Sequence, residues 1–482
     1  MRFKPLVLAL AVAAGPAAAE DTQALMAELK RLSARIEALE MQNREMEKSL
    51  ATERLSEKEP EVVTRLKAVE FQTLSMQKQA RQIEALEGVT VGASITSVVQ
   101  KVVGNGGAAS GERDSRANYR GDISVTLPGG EMGNTEGKIF THFRFGQGTG
   151  VGLRPTYTSG PNTTAFQVAG NTNNPTPPDD SFAILAQAWY QLKMPLMDGG
   201  LKANAREHLH LTFGKIDPFV FFDQNAAADD ESSKFMNNAF VHNPLLDSGR
   251  NIGADAYGFA PGAIFQYVNE KQKGSEWVLS LGVFGTSGVN ATANGANFNG
   301  SLAAPLVIAQ AETAARFDYL PGNYRAYIWN NGRGAGYDGR ESAHSGVGFS
   351  ADQKVDDYVT LFGRYGHQLK GQMRFDRALT LGGELGGSLW GRGSDALGVA
   401  FGTLRTSGSF HNDSLTVDAN SDGTADFGYT AAGWEKQQEY YYRFRVNGRF
   451  ELSPSLQLIS NAGGNSAVPT IKIVGLRAKI GF

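Results

Sequence analysis

The sequence IKIVGLRAKIGF, residues 471–482, alternates apolar side chains with small or charged ones. Successive side chains of an extended strand point to opposite faces, so Val474, Leu476 and Ile480 share one face. Arg477 and Lys479 lie on the opposite face. This alternation predicts a β-strand with one apolar and one polar face.

The same period-two pattern recurs throughout residues 89–482, for example where Phe143 stands between His142 and Arg144. Strands with apolar side chains outward and polar ones inward are typical of outer-membrane barrels, and an aromatic residue such as Phe482 often closes the last strand. We therefore expect an all-β transmembrane barrel of about sixteen antiparallel strands. The expected strands start near residues 89, 117, 137, 183, 207, 258, 276, 308, 323, 343, 357, 378, 396, 440, 455 and 470.

The connections between these strands are expected to alternate between short and long. The short ones, which contain the Pro, Gly, Asp or Ser of tight turns, are 127–130, 319–322, 355–357 and 452–455. The long ones are 147–182, 216–257, 286–307, 330–342 and 403–438. Outer-membrane barrels have short periplasmic turns and long external loops, so the long connections should lie outside. A sixteen-stranded barrel is wide enough for an aqueous channel.

The segment before the barrel has a different pattern. Residues 1–19 combine a basic start, a short apolar run and an Ala-rich end, which predicts a signal peptide. Residues 20–88 carry apolar side chains such as Leu25 and Leu32 at heptad spacing, with Asn43 at an a position. We expect a periplasmic α-helical coiled coil that self-associates as a homotrimer. The alternatives are a helix packed against its own barrel and a spacer that contacts peptidoglycan.

Composition excludes several classes of function. The chain has 482 residues, a formal net charge of −3 and no cysteine. This charge gives no electrostatic footprint for nucleic acid. No run of about 20 apolar residues follows the first 19, so a transmembrane helix is not expected. Nucleophile-elbow, zinc-protease and phosphate-loop motifs do not occur, so we expect neither an enzyme nor a resident cofactor.

The long connection at 216–257 is expected to fold inward and narrow the channel. Its candidate constriction residues are Asp217, Asp223, Asn225, Asp229, Asp230 and Glu231. The lumen wall opposite is expected to be basic and aromatic, and its candidates are Arg120, Arg144, Trp189, Lys193, His210, Arg364, Arg443, Arg445, Arg477 and Lys479. Acids facing bases would create a transverse field that favours polar solutes.

Two interpretations of these charges remain open. Arginines could bind sugar hydroxyls while Trp189, Phe222 and Tyr441 stack on sugar faces, or the charges could only pair and keep the lumen hydrated. Separately, residues 418–426 resemble the start of a calcium loop, with oxygen-bearing side chains at Asp418, Asn420, Asp422 and Asp426. The usual twelfth-position Glu is replaced by Tyr429, so only weak calcium binding is expected there.

Several blocks resemble the OprB-type carbohydrate-selective porins. They are Gly214-Lys-Ile-Asp-Pro218, Phe222-Asp-Gln-Asn225, Asp229-Asp-Glu231, Leu361-Phe-Gly-Arg-Tyr-Gly366, Ser394-Asp-Ala-Leu-Gly398 and Ser453-Pro-Ser-Leu-Gln457. The resemblance covers most of 200–482 and implies a sixteen-stranded outer-membrane channel through which small sugars diffuse. The chain departs from the family at Ala462, where Pro is usual, and in its long coiled coil.

The resemblance and the residues together lead to one function and two alternatives. The leading expectation is passive uptake of carbohydrates and similar small polar solutes, with the outer face contacting lipid and lipopolysaccharide. A general or anion-preferring diffusion porin is the first alternative, because the expected wall is rich in Arg and Lys. A structural spacer or tether of the cell envelope, acting through residues 20–88, is the second.

Overall fold

The computed structural model describes residues 88–103, 115–151, 153, 160–165, 181–196, 205–246, 258–286 and 301–482, and eight residues between 34 and 44. Those eight residues are helical and exposed. The rest of the expected coiled coil, including Asn43, and the expected signal peptide lie outside the described residues. The chain divides into two units, Met1–Val89 and Thr90–Phe482, of which the second is a barrel.

The barrel consists of antiparallel strands, which are β1 Thr90–Val103, β2 Ser115–Met132, β3 Thr135–Gln147, β4 Phe182–Leu196, β5 Glu207–Ile216, β6 Ala260–Asn269, β7 Trp277–Thr286, β8 Ser301–Phe317, β9 Leu320–Ala335, β10 Glu341–Asp356, β11 Val359–Lys370, β12 Phe375–Gly386, β13 Ala396–Thr406, β14 Trp434–Arg445, β15 Phe450–Ser460 and β16 Ile471–Gly481. Each pairs with its neighbours in sequence, and β1 pairs with β16 to close the sheet. The expectation of a closed barrel with sixteen strands is confirmed for the part of the chain that the structure describes.

The two faces of β16 show how the alternating sequence is used. Leu476 lies on the outer surface with 48% of its area exposed, whereas its neighbour Arg477 points inward and is 1% exposed. Across the closing seam, the apolar Val99 pairs with Leu476 and the polar Gln100 pairs with Gly475. An apolar exterior around a polar interior is the arrangement that a barrel in a lipid bilayer requires.

Two of the four expected short turns are wrong in position. Residues 127–130 lie inside β2, and the reversal comes later, at 133–134. The strand continues past its Pro-Gly-Gly sequence because the pairing with β3 shifts register between Pro128 and Glu131, which accommodates the extra residues as a bulge. Residues 452–455 similarly lie within β15, and the connection from β14 is 446–449.

The start of β1, the end of β16 and the short connections lie at one end of the barrel, called here the terminal end. The opposite end, called the loop end, carries the connections 104–114, 148–181, 217–259, 287–300, 336–340, 371–374, 407–433 and 461–470. The expected loop at 330–342 is wrong, since β9 and β10 stay paired up to Ala335 and Glu341. No helix in the described residues is long and apolar enough to cross a membrane.

A hydrophobic cluster fills part of the barrel interior. It joins side chains of the connection after β5, such as Phe222 and Leu245, to inward side chains of the wall, such as Phe284 and Trp329. Burial of these apolar side chains stabilises the connection against the wall, at about 25 cal/mol for each Å² removed from water. Part of the barrel interior is therefore a packed core, and the connection after β5 contributes many of its side chains.

Candidate functional site

The connection between β5 and β6 folds into the barrel, and residues 217–246 of it are called here the inner segment. It begins with the short 3-10 turn Pro218–Val220, capped by the Asp217 carboxylate, which accepts a hydrogen bond of 3.0 Å from the Phe219 amide. A single helical turn, α1 Asn238–Val241, follows and is capped in the same way by Asn237. These caps satisfy amides that would otherwise be unpaired inside the barrel.

Asp223 and Arg364 form the first anchor between the inner segment and the wall. The Nε atom of Arg364, on β11, lies 3.1 Å from a carboxylate oxygen of Asp223, and both side chains are almost fully buried. The guanidinium also donates to the carbonyl oxygens of Phe240, at 2.6 Å, and Asp223, at 3.0 Å. The Asp223 carboxylate accepts further hydrogen bonds from the Tyr327 hydroxyl, at 2.8 Å, and from the backbone amide of Asn243, at 2.6 Å.

Glu439 and Arg477 form a second anchor on β14 and β16. The Glu439 carboxylate accepts hydrogen bonds from the backbone amides of Met236, at 2.9 Å, and Asn237, at 2.8 Å. Arg477 donates to the carbonyl oxygens of Glu231, at 2.9 Å, and Lys234, at 2.6 Å. Charged groups bonded to backbone in a buried setting hold the segment more strongly than neutral pairs would.

A third anchor joins the inner segment to β9 and β10. The Asn225 side chain donates to the Ala351 carbonyl oxygen at 3.0 Å, and the Ala226 amide donates to the Asp352 carboxylate at 3.2 Å. Asp352 is itself held by Arg325, at 2.9 Å. Three anchors around the wall thus fix the path of the inner segment.

Residues 160–165, from the connection after β3, also fold inward, which the sequence analysis did not predict. The Pro161 carbonyl oxygen accepts bonds from the side-chain amides of Gln100, at 2.9 Å, and Gln457, at 2.7 Å. The Thr163 amide donates to the Met236 carbonyl oxygen at 2.9 Å, so this segment also holds the inner segment. No periodicity marks such a contact, because it depends on irregular backbone meeting irregular backbone.

Acidic and basic side chains beside the inner segment are paired. Asp122, on β2, accepts bonds of 2.8 Å from both Arg120 and Arg144 and lies 2.9 Å from His142. Arg120 also reaches across to Glu231 of the inner segment at 2.7 Å. The structure therefore places the expected bases Arg120 and Arg144 in ion pairs, with the expected acid Glu231 and with Asp122, which was not among the expected acids.

The other expected site residues are distributed as follows. Lys479 donates to the Ser232 hydroxyl at 2.6 Å and lies 3.7 Å from Asp230. Arg443 pairs with Glu384 at 3.1 Å, and Arg445, half exposed near the terminal end, pairs with Glu451 at 3.3 Å. Asp229 is half-buried next to the Asn225 amide, at 3.4 Å. Lys193 and His210 face each other in the register of β4 and β5, away from the inner segment's anchors.

The aromatic side chains expected to stack on sugars are mostly covered. Phe222 is fully buried in the interior cluster. Tyr441 is buried beneath Phe235, with 5.0 Å between ring centroids, and packs so closely over Gly398 that an added Cβ there would collide with its ring. Trp189 stacks on Phe140 with 4.8 Å between centroids. Sugar stacking on Phe222 and Tyr441 is thus excluded, because the inner segment and the wall already occupy their faces.

The calcium interpretation of residues 418–426 receives no support from the geometry. Asp418 accepts bonds from the amides of Asp422, at 3.2 Å, and Gly423, at 2.8 Å, and Asp426 accepts one from Ala419 at 2.7 Å. The carboxylates therefore close the turn on its own backbone. Within the described parts of the chain, no group of three or more His, Asp or Glu side chains is placed to hold a metal ion.

Comparisons with known proteins agree with this architecture. Residues 61–482 match the family described as carbohydrate-selective porin, OprB family. The solved structure of OprB from Pseudomonas putida is similar with a TM-score of 0.64 at 16% identity, over 84% of this chain and 96% of that chain. An anion-selective porin from Comamonas acidovorans gives a TM-score of 0.45 at 12% identity, over 82% and 99% of the two chains. No curated protein sequence matches.

Proposed function

The chain belongs to the OprB family of carbohydrate-selective porins, and we propose that its channel passes sugars and similar small polar solutes by passive diffusion past the inner segment. The observation that carries the proposal is the anchored course of residues 217–246 across the interior of a closed barrel. Passive diffusion through such a channel needs neither a covalent step nor an energy source, so the proposal includes no enzymatic activity.

The anchors support a fixed aperture. Arg364 and Asp223 are both buried, and breaking such a pair leaves an uncompensated charge that costs about 3–5 kcal/mol. Glu439 adds two more bonds to the backbone of the same segment. Movement of the inner segment would therefore have to break several bonds together, so solutes would meet an opening of constant size and polarity.

The paired charges around this opening support a preference for polar neutral solutes. Arg120, Asp122 and Arg144 alternate in sign over a few ångströms at the edge of the inner segment. Closely spaced dipoles and ion pairs can exchange hydrogen bonds with hydroxyl groups, while an apolar solute would leave them unsatisfied. Arg120, Arg144 and the acids Asp230 and Glu231 are thus the residues that we propose line the constriction.

Planar-bilayer recordings of the purified protein test this function. We expect glucose and maltooligosaccharides at millimolar concentration to block the ion current in a saturable way, because a sugar bound at the constriction displaces conducting ions. The same measurement with betaine, an osmolyte without hydroxyl groups, controls for viscosity and osmotic effects. Open channels whose current is indifferent to sugars would instead indicate a general diffusion porin.

An anion-preferring porin is the second candidate function. The observation that favours it is a pair of inward lysines, Lys138 on β3 and Lys193 on β4, that form no salt bridge with any carboxylate of the described residues. Reversal potentials in a salt gradient distinguish the two candidates. A strong anion preference that sugars do not alter would favour the second candidate over the first.

For the remainder of the chain, we propose three domains: a signal peptide at 1–19, a coiled coil at 20–88 and the porin domain at 89–482. As an outer-membrane protein of this family, the barrel would carry the coiled coil in the periplasm, with short turns at the terminal end facing the same side. The heptad spacing supports association as a homotrimer, and contact with peptidoglycan would make the coiled coil a spacer or tether.

A further inference from the structure

Three neighbouring strands place basic side chains on one area of the inner wall, called here the basic patch: Lys138 on β3, Lys193 on β4, and His208 and His210 on β5. Lys193 lies directly opposite His210 in the register of β4 and β5. Lys138 lies opposite Gln191, two residues before Lys193 on the same face of β4. Because β4 runs toward the terminal end, the patch lies between Trp189 at the constriction and that end of the barrel.

The lysines of the basic patch lack ion-pair partners. Among the residues that the structure describes, no carboxylate lies within salt-bridge distance of Lys138 or Lys193. The ammonium of Lys138 lies 5.4 Å from the ring centre of Trp189, a cation–π contact that leaves its charge uncompensated. Glu136 lies opposite Lys193 in register, and Glu270 lies 3.6 Å from His208.

The histidines supply unused polar atoms at the same place. Nδ1 of His208 and Nε2 of His210 are buried and have no hydrogen-bond partner. The side chain of His208 is more than nine-tenths buried. Buried polar atoms without partners are uncommon, and a bound ligand is one way of satisfying them. The basic patch also contains the side-chain amide of Gln191 and the hydroxyl of Thr212, to which Gln191 donates a hydrogen bond of 2.9 Å.

This area differs from the rest of the basic interior. Arg364 and Arg325 form ion pairs with carboxylates, and Arg477 donates hydrogen bonds to backbone carbonyl oxygens of the inner segment. The bonds of these three arginines hold the inner segment in place. The charge of Lys138 and Lys193 instead faces the lumen, where a low dielectric on the wall side strengthens its attraction for an anion.

We propose that the basic patch binds the anionic group of an acidic sugar, such as the carboxylate of an aldonic or uronic acid or the phosphate of a sugar phosphate. Lys138 and Lys193 hold the anion, and His208, His210, Gln191 and Thr212 supply polar contacts for it and for the sugar hydroxyls. The inference rests on the proposed passage of sugars and adds a substrate class to it. A solute leaving the constriction toward the terminal end would meet this second site next.

The experiment compares gluconate with glucose on the full-length protein in planar bilayers. The variant is Lys138→Gln with Lys193→Gln. The matched control is Lys436→Gln with Lys472→Gln, which removes the same charge from two exposed side chains of β14 and β16. In the unmodified protein and the control, we expect gluconate to block the current at a lower concentration than glucose does.

In the Lys138→Gln, Lys193→Gln variant, we expect the half-blocking concentration of gluconate to rise about tenfold, which corresponds to about 1.4 kcal/mol. The half-blocking concentration of glucose should change less than twofold. Glucose 6-phosphate, run in parallel, shows whether carboxylate or phosphate is preferred. Equal block by gluconate in the variant and the control would overturn the proposal. Absence of block by either sugar in the unmodified protein would instead refute the proposed function itself.

Discussion

The Nε atom of Arg364 lies 3.1 Å from the carboxylate of Asp223, although the two residues are 141 positions apart in sequence. Both side chains are buried, with 1% and 0% of their areas exposed. This ion pair joins β11 to the inner segment, which enters the barrel between β5 and β6. The inner segment is thus held by a residue on a strand several positions along the sheet from its entry point.

Replacing Arg364 with Met should destabilise the barrel and widen the constriction. The substitution leaves Asp223 as a buried carboxylate without its cation, which costs about 3–5 kcal/mol. Urea unfolding of the protein in lipid vesicles measures the stability, and single-channel conductance measures the opening. Arg445→Met is the control, because its pair with Glu451 is half exposed and should contribute less than about 1 kcal/mol. Equal losses in both variants would contradict the anchoring role of Arg364.

Replacing Glu439 with Gln should increase the noise of the open channel. A carboxylate accepts bonds from the amides of both Met236 and Asn237, whereas a Gln side chain offers one oxygen and turns a donor toward the second amide. Leaving a buried amide unpaired costs about 1–3 kcal/mol, which should let the inner segment fluctuate. Current noise is compared with that of Glu131→Gln, at the exposed end of β2. Unchanged noise in Glu439→Gln would show that other anchors suffice.

The acids of the inner segment should respond differently to pH. Burial raises the pKa of the Asp229 carboxyl to about 8, so this group is largely neutral at pH 6 and charged at pH 9. Burial also acts to raise the pKa of Asp230, but Lys479 and the neighbouring serine hydroxyls outweigh it and hold that pKa below its usual range. Asp230 therefore carries its charge at both pH values.

Ion selectivity should report this difference. We expect Asp230→Asn to move the reversal potential in a potassium chloride gradient toward anion preference at pH 6 and pH 9, by roughly twofold in permeability ratio. Asp229→Asn should have no effect at pH 6 and should shift selectivity in the same direction at pH 9. A shift at pH 6 in Asp229→Asn would show that its carboxyl is ionised there. Neither variant having an effect would place these residues outside the constriction.

The N-terminal heptads predict a self-associating peptide. A peptide of residues 20–88 should sediment as a trimer at tens of micromolar, because a single amphipathic helix of this kind is marginal without partners. Asn43→Leu should raise its melting temperature while broadening the distribution of oligomers, since a buried amide at an a position specifies the oligomer at a cost in stability. A peptide that sediments as a monomer would refute self-association.

The barrel could be predicted from sequence because its signal is local and repeated. Each strand carries its own alternation, so the inward position of Arg477 and the outward position of Leu476 follow from residues 471–482 alone. The turns were less predictable, since Pro128-Gly129-Gly130 has the composition of a turn but lies within β2 as part of a bulge. Turn residues and bulge residues share the same conformational freedom.

The partners of the site could not be predicted in the same way. Arg364 donates to the carbonyl oxygen of Asp223, which is 141 positions away, and no period connects them. The sequence indicated that both residues face the interior, but not that they meet. The sequence left open whether the basic side chains of the wall are paired, and the structure places several of them in ion pairs. Lys138, which has no carboxylate partner among the described residues, was not among the expected site residues.

The anchors of the inner segment lie on β9, β10, β11, β14 and β16, while the segment itself enters between β5 and β6. During synthesis the segment is therefore made long before the strands that hold it. Arg477 lies on β16, the strand that closes the barrel against β1. The full set of contacts that fixes the path of the inner segment is consequently complete only when the first and last strands have paired.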